Sequence, residues 1–160
     1  MPDSEHDPDA LRRVFAIFNE VGIVAQLSRA LFEARLPPGV LVPHFSILNH
    51  LVRVADGQTP LTLARAFQVP KTTMSHMVAT VEKRGWVELR PNAADGRSKR
   101  VWLTPAGRAF REDAIAALTP DLATAATALD PAAQDQLLAH LETLRRFLDA
   151  ARDQPNGSAG

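Results

Sequence analysis

Thr59-Pro-Leu-Thr-Leu-Ala-Arg-Ala-Phe-Gln-Val69, then Pro70 and Lys71-Thr-Thr-Met-Ser-His-Met77, is the stretch that decides the fold of this 160-residue chain. Thr59 is an N-cap residue followed by a first-turn proline, Pro60. Leu63 and Phe67 fall at i, i+4, so a short helix is predicted to Phe67. Gln68-Val69 make a tight turn, and Pro70 starts a second helix, Lys71 to Arg84, closed by Gly85. Met74, Met77, Val78 and Val81 form its apolar stripe. Lys71, Thr72, Thr73, Ser75, His76 and Thr80 lie opposite. Next, 86–90 and 100–104 alternate as half-buried strands, with Val87, Leu89, Val101 and Leu103 inward. The polar run Pro91 to Lys99 joins them as a protruding loop. Short helix, turn, polar-faced helix and basic hairpin is the order of a winged helix-turn-helix.

Outward from this centre the chain reads as helices. Asp9 can cap a helix from Ala10 to about Arg35, stopped by Pro37-Pro38-Gly39. Leu11, Val14, Phe15, Phe18, Val21 and Ala25 form one apolar line, and Ile17, Val24, Leu27 and Leu31 a second. A 26-residue helix spans about 39 Å. Two apolar lines predict burial on more than one side, against a second subunit in preference to one chain alone. Pro43 opens a helix to Ala55, with Phe45, Leu48, Leu51 and Val52 toward a core, and Asp56-Gly57 is a turn. Thr104-Pro105 starts a helix to Leu129, broken or kinked at Pro120. Asp130-Pro131 starts the last, whose Leu137, Leu141, Leu144, Leu148 and Ala151 make a seam of two heptads. The class is mainly α (α+β). Residues 10–36 and 105–152 form a helical dimerisation region, 43–104 the winged helix, 1–9 a frayed N-terminus and 153–160 a flexible tail.

Composition narrows the function. Apolar residues are 46 % and charged residues 22 % of the chain, as in soluble globular proteins. With no cysteine there is no disulfide, thiolate metal ligand or thiol nucleophile. No apolar run approaches 18 residues, so no membrane span is expected. The first nine residues hold four acids and no Lys or Arg, the wrong sign for a signal or transit peptide. A cytoplasmic protein is the expectation. The formal net charge is zero but unevenly spread. Residues 60–111 hold ten basic and three acidic side chains, a net +7, while 1–59 carry −2 and 112–160 carry −5. The basic third is the winged-helix third, so charge and motif order point independently to a polyanion. The second helix suits the major groove, and a cation on the hairpin loop suits the minor groove.

These residues, with Glu82-Lys-Arg-Gly85 and Asp95-Gly-Arg97-Ser98 running into Leu103-Thr104-Pro-Ala-Gly107, resemble the MarR family of bacterial transcriptional regulators. The flanking helices extend the resemblance over nearly the whole chain. It implies a homodimer on a pseudo-palindromic double-stranded DNA operator, acting mainly as a repressor, with first and last helices interleaved. It places Lys71, Thr72, Thr73, Ser75 and His76 at the major groove or its flanking phosphates. It sends Arg97 into the minor groove, with Asp95 shaping the wing, and makes Arg84, Lys99 and Arg100 phosphate contacts. Pro70, Gln68 and Ala79-Thr80 depart from the family pattern, which leaves base preference open. The resemblance also implies a pocket for a small aromatic or phenolic effector. Phe15, Phe18, Phe32, His44, Phe45 and His50 are its aromatic candidates, core packing being the competing role of each.

Other readings are weaker. His44 and His50 lie about 240° apart round a helix, and no HExxH or paired Cys/His spacing occurs, so no metal or other cofactor is expected. A metal-responsive regulator stays as an alternative because some relatives sense zinc. No phosphate-binding glycine loop, GxSxG elbow or triad order suggests an enzyme. A winged helix used only for protein contacts would not need a basic recognition face and a wing arginine together.

Overall fold

The computed structural model describes residues 7–152; the expected frayed residues 1–6 and tail 153–160 lie outside them. The elements are α1 (Pro8–Glu33), α2 (Val42–Arg53), α3 (Pro60–Phe67), α4 (Lys71–Lys83), β1 (Val87–Asn92), β2 (Asp95–Leu103), α5 (Pro105–Ala117), α6 (Thr119–Ala126) and α7 (Pro131–Arg152). They divide into two compact units at Leu118/Thr119.

In the first unit, α1 begins earlier than expected. The Asp7 carboxylate, not that of Asp9, accepts the capping N–H, from Asp9, and Pro8 opens the helix. Asp9 is thus helical instead of frayed. α2 is capped in reverse: the Leu41 N–H donates to Nδ1 of His44 at 3.0 Å. α3 begins where Thr59 Oγ1 accepts the Thr62 N–H at 3.1 Å, a cap worth about 1 kcal/mol. Gln68 ends it in the left-handed region at φ 53°, an unusual conformation for a residue with a Cβ.

Ile47, Leu48 and Leu51 of α2, Leu63 of α3, Met74, Val78 and Val81 of α4, and Val87 and Val101 of the sheet close around one core. Each large apolar side chain so buried contributes about 1.5–3 kcal/mol. The stripes read from helical and strand spacing are therefore the inward faces of α4 and the hairpin. β1 and β2 pair antiparallel, Val87 opposite Leu103 and Leu89 opposite Val101. The ladder runs further than expected. Asn92 pairs with Asp95 across Ala93-Ala94, past an irregularity at Pro91/Asn92, so most of the predicted open loop is strand. Gln58, before α3, bridges Val101 from outside the hairpin.

Leu103-Thr104-Pro-Ala-Gly107 joins wing to α5 for stated reasons. Thr104 Oγ1 accepts the Gly107 N–H at 3.0 Å and donates to the Gly85 carbonyl at 2.6 Å. A Cβ at Gly107 would collide with the Trp86 carbonyl, so only glycine allows this approach. Trp86 and Phe110 stack with centroids 3.7 Å apart.

α1 has no buried residue within the chain, and Phe15, Val24 and Leu27 are 60 % or more exposed. Burial on several sides is thus not supplied by this chain alone. By length and apolar composition α1 could cross a membrane, which the reading by unbroken apolar runs did not anticipate. Glu20 and Arg29 interrupt it.

In the second unit, Asp130 Oδ1 caps α7 through the Ala133 N–H at 3.0 Å. Gln134 Nε2 donates to the carbonyls of Ala126 and Leu129, satisfying the end of α6. The expected break near Pro120 falls at Leu118, with Pro120 in the first turn of α6. Leu137, Leu141 and Leu148 stay exposed.

Candidate nucleic-acid interface

The N-terminal half of α4 and the tip of the wing frame an open groove of about 570 Å³. Lys71 and Ser75 stand on one wall, Asp95, Arg97, Ser98 and Lys99 on the other, and Thr59, Pro60 and Leu61 at the start of α3 contribute apolar surface. Five of the ten expected DNA-facing residues meet here. Among the described residues, Lys71, Arg97 and Lys99 are held in no ion pair, so their charge is available to a ligand.

Local structure aims these groups. Met74 N–H donates to the Pro70 carbonyl at 3.0 Å, opening α4 without a side-chain cap. Its uncapped first-turn N–H groups and positive dipole end favour negative charge at this end of the helix. Ser75 Oγ donates to the Lys71 carbonyl at 2.9 Å, leaving its lone pairs as acceptors. Thr72 and His76 are exposed on α4. Asp95 Oδ1 accepts the Arg97 N–H at 3.1 Å, an Asx turn that shapes the wing tip.

The other expected residues go elsewhere. Thr73 lines a different cleft, of about 320 Å³, with Arg29, Val42, Pro43, Ser46, Phe67, Val69 and Met77. Arg84 sits at the far end of α4, its guanidinium donating to the Pro38 carbonyl at 2.8 Å and lying over Trp86 at 5.6 Å. Arg100 is half-buried, donating to Asn92 and to the Gly57 carbonyl.

None of the six aromatic candidates lines either of these two clefts. Phe15 and Phe18 are exposed on α1. Phe32 packs edge-on to Phe45 at 4.5 Å, and His50 bonds Gln58 and packs on Phe67. Burial, then the nearby Arg84 charge, hold the His44 pKa below its ordinary 6.5. Arg29 of α1, Phe67 of α3, Val69 of the turn after it and Met77 of α4 meet in the second cleft, a grouping that local spacing does not reveal. Among the described residues no cluster of acids and histidines could hold a metal ion.

A helix-turn-helix whose second helix shares a basic groove with a hairpin wing is the arrangement found in DNA-binding transcriptional regulators. A model of the MarR family matches residues 39–98. The structure resembles that of a probable transcriptional regulator from Pseudomonas aeruginosa, 26 % identical, covering 80 % of this chain and 96 % of that one at TM-score 0.66. Wild-type MarR from E. coli, in its apo form, is 26 % identical over 79 % of this chain and 94 % of that one, at TM-score 0.67. A MarR transcriptional regulator from Methanosarcina mazei, 19 % identical, supports the fold alone: it covers 86 % of this chain and 98 % of that one at TM-score 0.74. A search of curated proteins found no match. Residues 39–98 are therefore similar to the winged helix-turn-helix of MarR-family transcriptional regulators.

Proposed function

We propose that this regulator binds a pseudo-palindromic operator as a homodimer, represses by occupying promoter DNA, and is released by a small effector. The groove shared by Lys71, Ser75, Arg97 and Lys99 carries the reading. α4 enters the major groove, where Lys71, Thr72, Ser75 and His76 offer donors and acceptors to base edges and phosphates. Arg97 enters the adjacent minor groove from the wing tip, and Lys99 holds a phosphate. Thr73 belongs to the side of α4 away from the DNA. The exposed apolar faces of α1 support a second copy of the chain as its cover. The dimer works in the cytoplasm, where its DNA is.

The cleft lined by Arg29, Phe67, Val69, Thr73 and Met77 has the size and the apolar walls for a small aromatic or phenolic anion, with Arg29, which pairs with Glu33 at 3.7 Å, as the cation at its edge. Because Thr73 belongs to α4, an occupant there can favour one placement of the recognition helix and shift the population that binds DNA.

Footprinting on the intergenic DNA beside this gene tests the reading. Two protected half-sites about 34 Å apart, one helical turn, are expected. A single unpaired site, or none, would contradict the dimeric operator.

A further inference from the structure

We propose that Arg100 is a positioning residue for DNA binding, clasping the wing to the loop before α3 and so setting the groove that Lys71 and Arg97 share. This rests on the DNA-binding reading above. The Arg100 Nε–H donates to Asn92 Oδ1 and its Nη1–H to the Gly57 carbonyl, both at 2.9 Å. Gly57 lies 43 residues earlier, in the loop that leads through Gln58 to Thr59 and Pro60. Thr59 and Pro60 line the groove, so one side chain ties two of its edges.

Asn92 makes the clasp reach the wing tip. It is 8 % exposed, the one buried polar residue among those described. Its Oδ1 also accepts the Ala94 N–H at 3.2 Å, and its Nδ2 donates to Ser98 Oγ at 2.9 Å. The ladder irregularity at Pro91/Asn92 falls at the same point. The turn that presents Arg97 is thus held from inside by Asn92, and Asn92 is held by Arg100. With its fork engaged by two fixed acceptors, Arg100 differs in kind from the unpaired Arg97.

The base of the wing has separate attachments. Asp56 Oδ1 accepts the Leu103 N–H at 2.9 Å, and the Val101 N–H donates to the Gln58 carbonyl at 2.8 Å. Loss of Arg100 therefore frees the tip while the core fold stands.

Arg100→Lys keeps the charge but loses the fork, so it separates positioning from phosphate binding. Wild type, Arg100→Lys, Asn92→Ala and the double variant are compared by anisotropy on the labelled intergenic duplex. Hydrogen exchange at residues 93–99 is followed in the free protein. Each single variant is expected to bind about tenfold more weakly, and the double variant no worse than either, because one unit has been broken twice. Exchange should speed up at the tip and stay unchanged in α2 and α4. Arg100→Lys binding as tightly as wild type, or unaltered tip exchange, overturns the proposal. If wild type itself shows no preference for this DNA, the DNA-binding reading fails, and the exchange result alone decides whether the clasp exists.

Discussion

Arg97 and Arg100 are three positions apart on one strand, yet their chemistry diverges. Arg97 is exposed and unpaired, its backbone set by Asp95, whereas Arg100 is half-buried with two acceptors. Arg97→Ala should weaken operator binding at least tenfold by anisotropy while sedimentation shows an intact dimer; unchanged affinity would remove Arg97 from the interface. His44 gives a pH prediction. Burial and Arg84 lower its folded pKa beneath the unfolded 6.5. The folded state then binds the proton less well, so stability is full above about pH 6.5 and falls as pH drops through the folded pKa. Protonation also removes the Nδ1 acceptor that caps α2. Urea unfolding between pH 7.5 and 5 should be flatter for His44→Gln, whose side-chain oxygen can still accept the Leu41 N–H. Equal pH slopes would sever His44 from acid sensitivity.

Helices with strong end signals were legible to within about a residue. α3 was read correctly because Thr59-Pro60 sets its start, and α4 because Pro70 and Gly85 bound it. The wing was read too short because its last pairs depend on Asn92, whose partners Ser98 and Arg100 come from the opposing strand. The site was legible in part for a similar reason. Lys71, Ser75, Arg97 and Lys99 project from elements whose facing spacing reveals. The fate of Arg84 depends on the Pro38 carbonyl, and that of Arg100 on Gly57, neither visible in local pattern. Gly107 carries a prediction at this scale. Gly107→Ala pushes α5 off the Trp86 carbonyl at the end of the wing and should cost about 2 kcal/mol or more in denaturant unfolding. A loss below half that would show that the approach of α5 to the wing is not tight.

Over the whole molecule, zero net charge conceals a basic middle between acidic flanks. Such a chain avoids strong self-repulsion while its basic third can still attract a polyanion. The apolar α1 remains without cover in a single chain, and a helix this exposed favours association. Val24→Glu with Leu27→Glu should convert the proposed dimer to monomer in sedimentation equilibrium and lower operator affinity with it. A dimer that survives both charges would mean that α1 is covered by something other than its own copy. Two linked half-sites also raise affinity beyond that of one, so monomers should lose far more than half of the binding.

The most direct measurement is fluorescence anisotropy of the full-length protein on the intergenic duplex and on a scrambled duplex, over a salt series. Specific docking through α4 and the wing predicts affinity for the intergenic DNA at least about a thousandfold above the scrambled DNA, and log affinity falling linearly with log salt. Equal affinity for both duplexes, or no binding to either, would contradict it.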